Sequence, residues 1–190
     1  HHTHNRQSVK KFYALVNFVD TKGRFHDFNA NFTAKQTGNT MAKEGTLLIV
    51  DDNRSILAAL RLLLEKYFAR VLTLPTPNRL ATTLREEQID VILLDMNFTA
   101  GINTGNEGIY WLSEIHARRP DIKVVLFTAY ADIDLAVRAM RDGAVDFVVK
   151  PWDNDRLVAS LRNAYNLARS AREVKQLKEI KRELASEQPM

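Results

Sequence analysis

The sequence predicts a doubly wound α/β fold around a five-stranded parallel sheet. Four unbroken apolar runs carry that expectation: Leu47-Leu48-Ile49-Val50, Val91-Ile92-Leu93-Leu94, Val124-Val125-Leu126-Phe127 and Phe147-Val148-Val149. A strand that is apolar at every position, rather than at alternate ones, is covered on both faces, as parallel sheets require. The segments between them repeat apolar residues three and four apart, the period of a helix with one face on a core. Strand-helix alternation with right-handed crossovers then places helices on both sides of the sheet.

Taken in order, the first strand is expected over 46–51 and a helix over 54–68, where Ile56, Leu57, Leu60, Leu63 and Leu64 share a face. Asn53 or one of the two aspartates before it is the natural cap. A second strand follows over 70–74, a helix over 78–86 and the third strand over 90–95. A glycine-containing loop from Phe98 to Gly108 leads to a helix over 107–118, then a strand over 123–128, a helix over 132–142 and the fifth strand over 145–149.

The last helix stands apart in length. Asp153 is its expected N-cap, and no Gly or Pro interrupts the chain until Pro189, so it runs about 30 residues. Leu161, Ala164, Leu167, Ala171, Val174, Leu177, Ile180 and Leu184 recur at the spacing of a coiled-coil seam. Its first turns have a sheet to cover; beyond about Ala168 the seam asks for a partner, and a homodimer through this helix is the expectation. The competing reading is a solvated helix laced with Arg/Glu and Lys/Glu pairs.

Domain organisation follows from the same pass. Residues 1–40 carry His1, His2 and His4 and scattered aromatics with no sustained period, so they are expected to be a non-native or disordered extension, with Met41 as a natural start. Residues 41–160 form the globular domain and 161–190 a helical linker. The chain lacks cysteine, which excludes disulfide scaffolds and thiolate metal sites, and it lacks an apolar run long enough for a membrane span. A cytoplasmic protein is expected. The net charge of +4 divides unevenly: residues 1–40 hold six basic and two acidic residues, 41–155 hold 13 and 17, and 156–190 hold eight and four. The globular part is therefore acidic, and the basic balance is poor evidence for contact with nucleic acid.

The strand ends carry the chemistry. Asp51 and Asp52 close the first run, Asp95 the third, Thr128 the fourth and Lys150 the fifth. In an open parallel sheet the ligand site lies beyond the carboxyl ends of the strands, so these residues converge. Three clustered carboxylates call for a hard cation such as Mg2+, and a lysine with a hydroxyl opposite them suits an anion. Gly101, Gly105 and Gly108 are not followed by Gly-Lys-Ser/Thr, so the loop is no phosphate-binding P-loop and reads as a lid over the acidic pocket.

Five such residues in this order resemble the receiver domain of two-component response regulators, from about Thr46 into the first half of the last helix. The resemblance implies the flavodoxin-like strand order 2-1-3-4-5, and Asp95 as the acceptor of a phosphoryl group from a sensor histidine kinase or phosphotransfer protein. It implies Mg2+ held by Asp52 directly, Asp51 largely through water, Asp95, and the carbonyl of Asn97. Lys150 would pair with Asp95 and then with the phosphoryl oxygens, ahead of a cis bond to Pro151. Thr128 and Phe147 match the family's switch pair, the backbone of Ala129 its phosphate contact, and Asn97 and Tyr130 its modulators of hydrolysis. The chain departs from the family at Thr99, where most receivers have proline, and in its longer loop. Trp152, that loop and the basic tail are similar to receivers of nitrogen-regulation-type AAA+ transcription activators, which implies DNA contact only through an output domain outside this sequence.

Two rivals remain at this point. A Mg2+-dependent aspartyl-phosphate phosphohydrolase also needs strand-end Asp, Thr and Lys, but carries a second Asp where this chain has Asn97, and its nucleophile ends the first strand. A non-phosphorylated dimerisation module with a decayed site conflicts with the complete set of five residues.

Overall fold

The computed structural model describes residues 43–98, 106–129 and 133–186. The elements are β1 (Thr46–Val50), α1 (Arg54–Leu64), β2 (Arg70–Leu74), α2 (Leu80–Glu86), β3 (Val91–Asp95), α3 (Asn106–Arg118), β4 (Lys123–Thr128), α4 (Ile133–Arg141), β5 (Asp146–Val149) and α5 (Asn154–Ser186). A short 3-10 turn, Pro77–Arg79, leads into α2. All strands are parallel in the order β2-β1-β3-β4-β5, as expected. The apolar runs fall where such an order needs them: β3 is buried along its whole length, whereas β2 and β5 at the edges are only partly covered.

One core cluster joins α1 and α5 to a single face of the sheet, with Leu57, Leu60, Leu157 and Leu161 packed on Ile49, Leu93, Phe127 and Val148. Side chains alternate across a strand, so the residues between these, including Leu48, Ile92, Leu126 and Phe147, face the other way. Register then fixes which side chains meet. Val50 pairs with Leu94, Asp95 with Phe127 and Phe127 with Val148. Asp51 and Asp95 therefore stand level at the carboxyl edge on the α1/α5 face, and Lys150, two residues past Val148, follows on the same side.

Element ends differ slightly from the sequence expectation. α1 stops at Leu64 rather than 68, because the Lys66 and Tyr67 amides turn to the carbonyls three residues back while Phe68 swings into the core. The apolar period continues through that turn, which is why it reads as helix. Asn53 is the cap of α1, its Oδ1 accepting the Ser55 and Ile56 amides at 3.0 and 3.2 Å. Asp153 caps α5 through the Arg156 amide at 2.9 Å.

α5 is 33 residues long. Leu157, Val158, Ser160, Leu161, Ala164 and Ala168 are buried, and every residue from 169 to 186 is exposed. The helix is held as it leaves the sheet. Gly45, at φ +82°, lies so close beneath Tyr165 that a Cβ there would come within 2.5 Å of the ring. Glu44 receives the Tyr165 hydroxyl and Arg169 Nη1, both at 3.3 Å. Arg172 Nη1 reaches Asp90 Oδ1 at 2.5 Å, while Asp90 Oδ2 accepts the Thr46 amide at 2.7 Å.

Candidate functional site at the carboxyl edge of the sheet

Asp51 is fully buried, with Oδ1 accepting the Asn53 amide at 2.9 Å and Oδ2 accepting Lys150 Nζ at 2.6 Å. Asp95, also buried, receives Lys150 Nζ at 3.0 Å and the Met96 amide at 2.9 Å on Oδ1. Lys150 thus bridges two carboxylates, and the Asp95 pairing expected from the sequence is present. Its own amide is fixed by the Thr128 carbonyl at 2.6 Å, and the Lys150-Pro151 bond is cis. Asp52 is exposed beside this pair.

Carboxylate oxygens of Asp51, Asp52 and Asp95 lie within 4.8 Å of one another. Hard oxygen donors, two of them buried and one open to solvent, fit a Mg2+ ion that keeps open positions for other ligands. Burial pushes the Asp95 carboxyl up to about 6 from its ordinary 3.8, and the Asp51 charge adds to this, against the pull of the Lys150 ammonium. Burial and the neighbouring Asp51 charge thus disfavour the ionised form of Asp95, and the Lys150 ammonium favours it.

Thr128 is buried at the end of β4 and Phe147 is buried in β5, on the sheet face opposite Lys150. Ala129 is exposed at the edge, next to Thr128. Asn97 is half-buried two residues past Asp95. Tyr130 and the loop residues Thr99 to Gly105, with the lid reading attached to them, lie outside the described residues, as do residues 1–42. The described ends of that loop are pinned: Glu107 Oε2 accepts the Phe98 amide at 2.8 Å, and the Gly108 amide donates to Met96 O at 3.0 Å. A Cβ on Gly108 would come within 2.7 Å of the Met96 Cα, so this glycine serves close packing of α3 rather than phosphate.

A hub missed in the sequence sits at the start of β5. Asp146 Oδ1 accepts the Phe147 amide at 2.8 Å and Arg156 Nη2 at 3.1 Å, while Oδ2 accepts Ser160 Oγ at 2.6 Å. It ties the backbone of Phe147 to the first turns of α5. Only its place before an apolar run hinted at anything, and that is where acids commonly end turns.

A family model for the response regulator receiver domain matches residues 47–162. The chain belongs to that family. As a receiver it is a phosphorylation-controlled switch module related to transcriptional regulators. It is 33% identical over 123 residues to the C4-dicarboxylate transport transcriptional regulatory protein DctD of Pseudomonas aeruginosa, covering 65% of this chain and 26% of that protein. To the transcriptional regulatory protein ZraR of Escherichia coli it is 34% identical over 118 residues, 62% of this chain and 26% of that one. The receiver thus spans about a quarter of the length of these regulators. The N-terminal signal receiver domain of a two-component response regulator from Bacteroides fragilis is similar in structure, with 56% identity and a TM-score of 0.58 over 65% of this chain and 98% of that one. Among the described residues no helix is long and apolar enough to cross a membrane.

Proposed function

We propose that this receiver accepts a phosphoryl group on Asp95 from the phosphohistidine of a sensor kinase or phosphotransfer protein and controls a transcriptional output in the cytoplasm. The observation that carries the reading is the Lys150 ammonium bridging Asp51 and Asp95, with Asp52 alongside. In the transfer an Asp95 oxygen forms a bond to phosphorus as the donor's P–N bond breaks. The electron pair of that bond stays on the imidazole nitrogen, and Asp95 becomes an acyl phosphate. Mg2+, held by Asp52, Asp95, the Asn97 carbonyl and, largely through water, Asp51, would supply positive charge beside the phosphoryl oxygens.

Lys150 supplies the second positive charge, and the Ala129 amide with the Thr128 hydroxyl donates to the oxygens on the opposite side. As Thr128 turns toward the new anion it vacates space on its face of the sheet, and Phe147, on that same face, rotates into it. Asp146 relays the shift to α5 through Arg156 and Ser160. Asn97 and Tyr130 govern water access and so the lifetime of the phosphoryl group. The chemistry the receiver itself catalyses is limited to this transfer and its own dephosphorylation. The exposed row Val174, Leu177, Ile180 and Leu184 on α5 supports pairing with a second copy, and DNA is engaged only by an attached output domain.

The test is phosphate-affinity electrophoresis after treatment with acetyl phosphate and Mg2+. A retarded band is expected in the wild type and absent in Asp95→Asn; a retarded band in that variant would move the acceptor elsewhere.

A further inference from the structure

Two aromatic rings border the pocket without a part in the chemistry above. Phe127 is fully buried, and the Lys150 ammonium stands 4.7 Å from the centre of its ring. Trp152 meets Phe127 edge to face, with ring centres 5.4 Å apart and planes at 61°, and its indole Nε1 is fixed on Asn154 Oδ1 at 3.0 Å. The register produces this stack: Phe127 pairs with Val148, and Lys150 lies two residues on, where the alternation returns it to the same face.

The ammonium therefore has three neighbours, the Asp51 and Asp95 carboxylates and the ring face. An ammonium on a four-carbon stem is a point charge without the planar fork that lets arginine fix its own orientation. One of its two carboxylate partners is Asp95 itself, whose charge and shape change when it takes up phosphate. The ring does not change. With only 15% of the lysine side chain exposed, the attraction between the ammonium and the negative ring face is little screened by water.

We propose that Phe127 is a positioning residue for phosphoryl transfer: its ring face, braced by Trp152, holds the Lys150 ammonium in the pocket. The proposal rests on Asp95 being the acceptor. The competing account of Phe127 is plain core packing, which its burial among Val125, Val148 and Leu157 supports equally. An aliphatic side chain fills volume as well, but it offers no negative face.

The decisive test keeps the shape and drains the ring of its quadrupole. Phe127 is replaced by mono-, di- and trifluorophenylalanine in the full chain. The initial rate of Asp95 phosphorylation by acetyl phosphate at saturating Mg2+ is then measured beside the melting temperature. The rate is expected to fall stepwise with each fluorine, by about threefold across the series, while the melting temperature stays nearly constant. Phe127→Leu should lose at least as much rate. In a Lys150→Ala background the fluorines should make no further difference, because the ring acts only through the ammonium. A flat series, a rate loss that merely tracks loss of folded protein, or a fluorine dependence that survives without Lys150 would each overturn the proposal. Failure of the underlying reading looks different, since phosphate would then enter Asp95→Asn whatever ring stands at 127.

Discussion

Arg172 of α5 and Asp90, the residue before β3, form an ion pair that joins the departing helix to the amino edge of the sheet. Asp90 is committed on both oxygens, since the other one holds the first amide of β1. The two partners therefore differ in what their removal costs. Arg172→Ala removes the half-exposed partner of a buried carboxylate that keeps its bond to the Thr46 amide, and should cost about 1 kcal/mol, while hydrogen exchange across residues 169–186 should speed up. Asp90→Ala also strands a strand amide and should cost about 1–3 kcal/mol. Equal stability losses in urea titrations would contradict this division.

Asp95→Asn should remove phosphorylation and also stabilise the resting domain. The folded carboxyl holds its proton up to about pH 6, whereas the unfolded one releases it near 3.8. The folded state therefore binds more protons between these values, and stability falls as pH rises through them. At about 1.4 kcal/mol per unit, the variant should gain on the order of 1–3 kcal/mol at pH 7.5 without Mg2+, and little at pH 4. Urea unfolding in a chelating buffer at both pH values checks the sign; a gain that does not shrink at pH 4 refutes it.

Asp51 and Asp52 should separate in the same way. Asp52 is exposed and is the proposed direct ligand, so Asp52→Ala should weaken Mg2+ binding more than Asp51→Ala while leaving the fold nearly as stable. Asp51→Ala should cost stability, because the Asn53 amide and Lys150 lose a buried partner. Mg2+ titration followed by tryptophan fluorescence, with melting curves, measures both effects.

The exposed row on α5 predicts a dimer that weakens on dilution, since Ala171 in the seam and the short exposed length limit affinity. Truncation after Ala168 should give a stable monomer that still accepts phosphate, because every buried residue of the helix precedes that point. Sedimentation at several concentrations decides; a chain that stays monomeric with and without phosphate would leave the solvated helix as the better account.

Strand positions and the strand-end residues were legible because each buried parallel strand announces itself as an apolar run and its next residue lands at the sheet edge. From there the convergence of Asp51, Asp95 and Lys150 followed from topology alone. Phe127 was not legible as more than core, because an aromatic ring that packs and one that also faces a cation look alike in an apolar run. Nor was the Arg172 to Asp90 contact, which depends on where a long helix crosses a distant loop. Asp146 carries no signal until Ser160 and Arg156 are seen to face it.

The geometry of α5 has a mechanical consequence. At 1.5 Å per residue, residues 169–186 reach ~27 Å beyond the last turn packed on the sheet. The helix passes from the core to its far end without a joint. A tilt of ten degrees at the buried turns would displace the tip by about 5 Å, roughly the rise of one helical turn. On the proposed switch, a side-chain movement beside Asp95 too small to alter the outline of the domain would be magnified into a shift that an attached partner could register. The ion pairs of Arg172 with Asp90 and of Arg169 with Glu44 tether the helix where it leaves the sheet.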